Sequence, residues 1–326
     1  MEEVYLESSK TGIIYITDLP IYEYLKKNKD FMEFPELVIT KQDEFLNNDY
    51  VLRYINSDDK RIDVNNNELV IQYPISEVNC DSIIYPGYLL IEKKRLNTKE
   101  VTCHSACITK DGKGILFMGR SGSGKTTLML DMCINKGYSL LGNDSTILKY
   151  KDGKLYANGG TKFIFLRYES IKRNLPYLLD AFNNREVDAN YVLSDKVDTW
   201  RKKVRVLPDE LNIQTDSNEV EIVKAYMVHI DENQNEIYNN LDTSLVSKLY
   251  LNEILSENIR GVKTTFMDKT YTPCLYIPSM DSKEHYEVRK LIIDEIIHGC
   301  NLEYISGNIN DVTNKIDSDF KLVKRK

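Results

Sequence analysis

One eight-residue run constrains this 326-residue chain more than anything else in it: Gly119, Arg120, Ser121, Gly122, Ser123, Gly124, Lys125 and Thr126, in the pattern G-x-x-x-x-G-K-[ST]. The apolar residues Ile115, Leu116, Phe117 and Met118 precede it directly, and Thr127, Leu128, Met129 and Leu130 follow. The first set predicts a strand and the second a helix over 125–136, stopped by Gly137. A glycine-rich loop between a strand and a helix curls so that successive backbone N–H groups face one point. The helix N-terminus behind it adds the positive end of its dipole. The run therefore reads as a P-loop that binds a nucleoside triphosphate, with residues 119–126 and Thr127 as the candidate contacts. Lys125 is placed for the β- and γ-phosphates, and the Thr126 hydroxyl for Mg²⁺.

A metal-bound phosphate needs a carboxylate at the end of a neighbouring strand. Residues 138–141 predict that strand, and Gly142, Asn143 and Asp144 follow it, with Asp144 nineteen residues after Lys125. At such a place Asp144 can hold Mg²⁺ or take a proton from an acceptor hydroxyl. Upstream, residues 101–109 predict a strand and 111–114 a turn into the strand before the loop. Farther on, Gly159, Gly160, Thr161 and Lys162 lead into a predicted strand over 162–166 and then Arg167. Lys162 and Arg167 read as surface cations rather than phosphate ligands.

The strand–loop–helix–strand order predicts an α/β nucleotide-binding core over 96–326. Within it, 221–230 and 302–305 predict strands, and 243–256 and 283–298 amphipathic helices. Residues 1–95 predict a smaller β-rich N-terminal module, with strands near 13–16, 36–40, 50–55, 68–73 and 88–92 and one helix near 21–27. The polar segment 180–218 predicts a mobile or substrate-facing stretch. It holds Trp200, read as a core residue, and the basic residues Arg201, Lys202, Lys203 and Arg205, read as a solvated face.

A net charge of −7 argues against a nucleic-acid footprint. No apolar run approaches the roughly 18 residues of a membrane span. The acidic opening Met1, Glu2, Glu3 lacks the plan of a signal peptide. Six scattered cysteines point to a reducing cytoplasm. Cys103, His104 and Cys107 lie in the predicted strand 101–109, with the two cysteines on one face and His104 on the other. This reads as buried side chains and not as a zinc site.

His104, the glycine turn at 112–114, the loop 119–126 running straight into its helix, and the Gly142, Asn143, Asp144 end together resemble the HPr kinase/phosphorylase-like P-loop kinases, relatives of phosphoenolpyruvate carboxykinase. The resemblance implies an α/β P-loop core of that type. It also implies a phosphotransferase that uses ATP and Mg²⁺ to phosphorylate a hydroxyl of Ser/Thr type on a peptide, a protein or a small molecule, as in peptide natural-product tailoring. A homo-oligomer is a further expectation. Carried over by position, Lys125 and Thr126 handle phosphate and metal, Asp144 takes the second acidic position, and His104 takes the active-site histidine position. Asn143 stands where the first acidic residue, the proposed base, is expected, and an amide accepts no proton at neutral pH. The base is then Asp144 or His104, or the reaction rests on positioning and charge neutralisation. A nucleotide-binding switch or ATPase without an acceptor is the alternative that Asn143 favours. A carboxykinase ranks last, since no dicarboxylate site is visible.

Overall fold

The computed structural model describes residues 2–41, 50–182, 203–234, 236–260 and 264–323. In chain order its strands and α-helices are β1 (Glu2–Ser8), β2 (Thr11–Thr17), α1 (Ile21–Asn28), β3 (Leu37–Lys41), β4 (Val51–Asn56), β5 (Arg61–Asn65), β6 (Glu68–Tyr73), α2 (Cys80–Ile84), α3 (Gly87–Asn97), β7 (Glu100–Cys103), β8 (Ala106–Lys110), β9 (Lys113–Met118) and α4 (Lys125–Lys136). There follow β10 (Ser139–Gly142), β11 (Thr146–Lys151), β12 (Lys154–Gly160), β13 (Ile164–Arg167), α5 (Tyr168–Asn174), β14 (Lys203–Val206), β15 (Val220–Ile230), β16 (Tyr238–Leu241), α6 (Leu245–Ser256), β17 (Thr265–Met267), β18 (Pro273–Tyr276), α7 (Lys283–Asp294), β19 (Glu303–Gly307) and α8 (Ile309–Val323). The protein is mixed α/β, and its residues group into two compact units.

The first unit takes Met1–Cys103, Ile147–Tyr150 and Lys248–Ile293. Its sheet has the order β3-β1-β2-β4-β6-β5. The hairpin β1/β2 is antiparallel, whereas β2, β4 and β6 run parallel. All seven residues of β2 are buried, the mark of a strand covered on both faces. Residues 88–92, expected as a strand, are helical within α3. The run Tyr88, Leu89, Leu90, Ile91, Glu92 is buried throughout, and a short apolar run buried on every side has no period that separates strand from helix. Residues 248–293, placed by the sequence reading with the P-loop core, cluster with this N-terminal unit. One tie is visible at Lys269, whose backbone N–H donates to the Glu77 carbonyl at 2.8 Å.

The second unit takes His104–Thr146, Lys151–Ser247 and Asp294–Lys326. Strands β9, β15 and β19 run parallel at its centre. On one side β8 forms an antiparallel hairpin with β9, and β10 lies beyond it. On the other side β12 pairs with the start of β15, and β16 lies antiparallel beyond β19. The core beneath them includes Phe117, Leu128, Tyr226, Ile305, Ile316 and Phe320, which join β9, α4, β15, β19 and α8. The predicted strand over 101–109 is broken. His104 and Ser105 form a bend between β7 and β8, so Cys103 and Cys107 do not lie on one continuous strand face. The Ser105 carbonyl instead accepts from the Thr146 hydroxyl at 3.5 Å. The predicted helix over 283–298 also changes form, its last part, Glu295–Gly299, being a π-turn. Trp200, Arg201 and Lys202, with most of the polar segment 180–218, lie outside the described residues.

Candidate phosphate-binding site

The loop over 119–124 joins the carboxyl end of β9 to the first turn of α4, and carboxyl ends of parallel strands are where open α/β sheets present ligands. Three of its residues take positive φ: Gly119 at 148°, Gly122 at 84° and Gly124 at 94°. The last is forced twice over, because a Cβ on Gly124 would also lie 2.5 Å from Cγ1 of Ile230. Ser123 donates its N–H to the Arg120 carbonyl at 3.0 Å and accepts at its own carbonyl from Ile230 at 2.9 Å, which pins the loop to the end of β15. Helix α4 starts at once, with Leu128 N–H on the Gly124 carbonyl at 2.8 Å. Among the described residues no side chain caps its N-terminus, so the first-turn amides keep the dipole end that favours an anion.

Lys125 is buried, and its Nζ donates to the Gly119 carbonyl at 2.7 Å and to the Arg120 carbonyl at 3.4 Å. The ammonium is thus folded back over the loop. Arg120, Ser121 and Gly122 are exposed at the loop tip. Ser123 is buried, its Oγ without a hydrogen-bond partner among the described residues. The Thr126 hydroxyl donates to Oδ1 of Asn143 at 3.3 Å, and the Thr127 hydroxyl shares a 3.0 Å hydrogen bond with Ser170 on α5.

Asn143 is fully buried and uses both ends of its amide, since Nδ2 donates to the Phe163 carbonyl at 3.1 Å. Asp144, half-buried beside it, has φ 62°. The structure therefore joins Thr126 to Asn143, with Asp144 the next residue along the chain. His104 is half-buried in the bend whose next residue, Ser105, is tied to Thr146 just past Asp144. Lys162 faces away from a phosphate role. Its Nζ donates to the carbonyls of Leu141 and Asp216, the latter at 2.6 Å, and so braces the strand that leads to Asn143. Burial alone would raise the Asp216 carboxyl. Hydrogen bonds from the Asn218 backbone and from the Thr109 and Asn218 side chains, with the Lys162 charge, outweigh burial and hold it below its ordinary range. Arg167 is exposed at the end of β13. Thr161, to which the sequence assigns no role, touches the Asn143 turn on both sides.

A hydroxyl and a carboxylate are oxygen donors of the kind Mg²⁺ takes alongside water and phosphate, so the chemistry of Thr126 and Asp144 fits that ion. Among the described residues no group of three His, Cys, Asp or Glu side chains is placed to hold a metal, and no helix is long and apolar enough to cross a membrane. All six cysteines are unbridged.

No family model matches the chain, and no curated protein matches it in sequence. Among solved structures, the Hpr(Ser) kinase/phosphatase from Coxiella burnetii aligns with 69% of this chain and 99% of its own, at 13% identity and a TM-score of 0.29. That likeness is distant.

Proposed function

We propose that this chain is an ATP- and Mg²⁺-dependent kinase that transfers the γ-phosphoryl group to a hydroxyl of Ser/Thr type on a peptide, protein or small molecule. In this reading the P-loop core is of HPr kinase type, the protein works in the cytoplasm, and residues 1–95 form a β-rich N-terminal module. The observation that carries it is the loop over 119–124, with positive φ at Gly119, Gly122 and Gly124, leading into an uncapped helix that starts at Lys125.

Backbone N–H groups of the loop and of Thr126 and Thr127 bind phosphate oxygens, and the Lys125 ammonium leaves the Gly119 carbonyl for the β- and γ-phosphates. The Thr126 hydroxyl and the Asp144 carboxylate would hold Mg²⁺, which would supply neutralising charge to those phosphates. The acceptor oxygen bonds to the γ-phosphorus as the bond to the β–γ bridging oxygen breaks. The acceptor's proton passes to Asp144 or to His104. Asn143 takes no proton, because an amide is not basic at neutral pH; its two ends are engaged by Thr126 and Phe163 instead.

That same amide favours a second reading, a nucleotide-binding switch or ATPase that has no acceptor. One experiment separates them: incubation with γ-phosphate-labelled ATP and Mg²⁺, with and without host extract, beside Lys125→Ala. Label on a peptide, protein or metabolite that is lost in the variant supports the kinase. Label only in free phosphate, or bound nucleotide without transfer, sinks it and leaves the switch.

A further inference from the structure

Asp144 sits at the tip of a turn that L residues rarely form. Its φ is 62°, and the Ser145 N–H donates to the Asn143 carbonyl at 2.8 Å, closing three residues around it. Glycine takes this φ without cost, so a carboxylate here is retained against strain and has to be held.

The holding residue is Thr161, which is buried between β12 and β13. Its carbonyl accepts from the Asn143 N–H at 2.8 Å, and its N–H donates to the Ser145 carbonyl at 3.0 Å. Its hydroxyl donates to the Asn143 carbonyl and accepts from the Ser145 N–H at 3.2 Å. Thr161 thus grips the residue before Asp144 and the residue after it. Two glycines let it come so close. A Cβ on Gly160 would lie 2.4 Å from Cα of Gly142, and one on Gly142 would lie 2.9 Å from Cα of Gly160. The Asn143 side chain carries the same turn against α4 through Thr126.

We propose that Thr161 is a positioning residue whose hydroxyl locks the turn over 143–145 and so aims the Asp144 carboxylate at the metal–phosphate site beside Thr126. The proposal rests on the P-loop kinase reading and deepens it, since Thr161 acts through Asp144. Residues that orient a metal ligand typically set metal affinity by about 10–100-fold.

The test reads Mn²⁺ affinity in the ATP complex by electron paramagnetic resonance, with ATP affinity in EDTA as the check that the loop is folded. Thr161→Val is expected to weaken Mn²⁺ binding by about 10-fold or more, with metal-free ATP affinity unchanged. Thr161→Ser, which keeps the hydroxyl, is expected to stay within about threefold of the parent. In an Asp144→Asn background the Thr161→Val change is expected to matter little, because the carboxylate it aims is gone. If Thr161→Val does not bind metal-free ATP, Thr161→Cys takes its place and is read the same way. Equal Mn²⁺ affinity in parent and variant, or an undiminished loss in the Asp144→Asn background, overturns the positioning role alone. A parent protein that binds no Mn²⁺ with ATP overturns the kinase reading together with it.

Discussion

The Thr126 hydroxyl donates to Oδ1 of Asn143 at 3.3 Å, while Nδ2 of the same amide donates to the Phe163 carbonyl at 3.1 Å. One buried side chain thus accepts from the first turn of α4 and donates to the chain entering β13. Only an amide serves both partners, because a carboxylate has no hydrogen for the carbonyl. Asn143 is therefore built into the packing around the loop.

Asn143→Asp is accordingly expected to weaken the protein and not to restore a base. Its second oxygen would face the Phe163 carbonyl in a fully buried position, acceptor against acceptor. A buried group left unsatisfied costs about 1–3 kcal/mol. At roughly 2–4 °C per kcal/mol for a unit of this size, the melting temperature falls by about 2–12 °C. Thermal unfolding of the two proteins checks it, and an unchanged melting temperature would show that the turn relaxes around the carboxylate.

Gly124→Ala tests the loop itself. The substitution meets Ile230 at 2.5 Å and must hold φ near 94°. An L residue forced into such a region costs about 1–3 kcal/mol. If the loop moves to escape the clash, its N–H groups no longer converge. The expected outcome is loss of ATP binding by calorimetry with modest loss of stability; full retention of binding would exclude this loop as the phosphate cradle.

Lys162→Met tests the brace behind the site. The lysine donates to the Leu141 and Asp216 carbonyls, and methionine keeps its bulk without the donors. Chemical denaturation is expected to show a loss of about 1–3 kcal/mol. A loss of nucleotide affinity far larger than this would point to direct phosphate contact instead.

Much of the secondary structure around the loop over 119–124 was legible because its signals are local. The strand over 115–118, the helix over 125–136 and its Gly137 stop are written within a few residues of one another, and α4 spans those very residues. The grouping of 248–293 with the N-terminal unit was not legible, since contacts across more than a hundred residues leave no mark on local periodicity. Buried helix α3 hid for a related reason: Tyr88, Leu89, Leu90 and Ile91 are covered on every side, so no polar face disclosed its 3.6-residue period. The bend at His104 and Ser105 is held by the Thr146 side chain, a partner that strand propensity does not weigh. Thr161 is missed for the same reason. Its work is done through backbone groups of residues 143 and 145, whose identities carry no trace of it.

The first unit is expected to lose stability in acid through the carboxylate of Asp281. Asp281, its side chain only 2% exposed, takes both terminal nitrogens of Arg289, at 2.9 and 2.8 Å, and also Nε of Arg260. Burial alone would raise this carboxyl; the Arg289 and Arg260 guanidiniums outweigh burial and hold it below the ordinary carboxylate range. His285 stands 3.8 Å away, and burial keeps it below the usual histidine range, so it adds no competing charge at pH 7. A folded pKa below the unfolded value of about 3.9 means that the unfolded chain binds the proton more readily. The stabilisation is then fully present above about pH 5 and is lost as the pH falls through the folded pKa. Asp281→Asn leaves Arg289 buried without its counter-charge, which costs about 3–5 kcal/mol at neutral pH. Urea unfolding of parent and variant between pH 7 and 3 is expected to show that gap closing only below about pH 5, as the parent's carboxylate is protonated. A gap of constant size across that range would mean that the carboxylate's charge contributes nothing, and that only its shape and hydrogen bonds hold Arg289 in place.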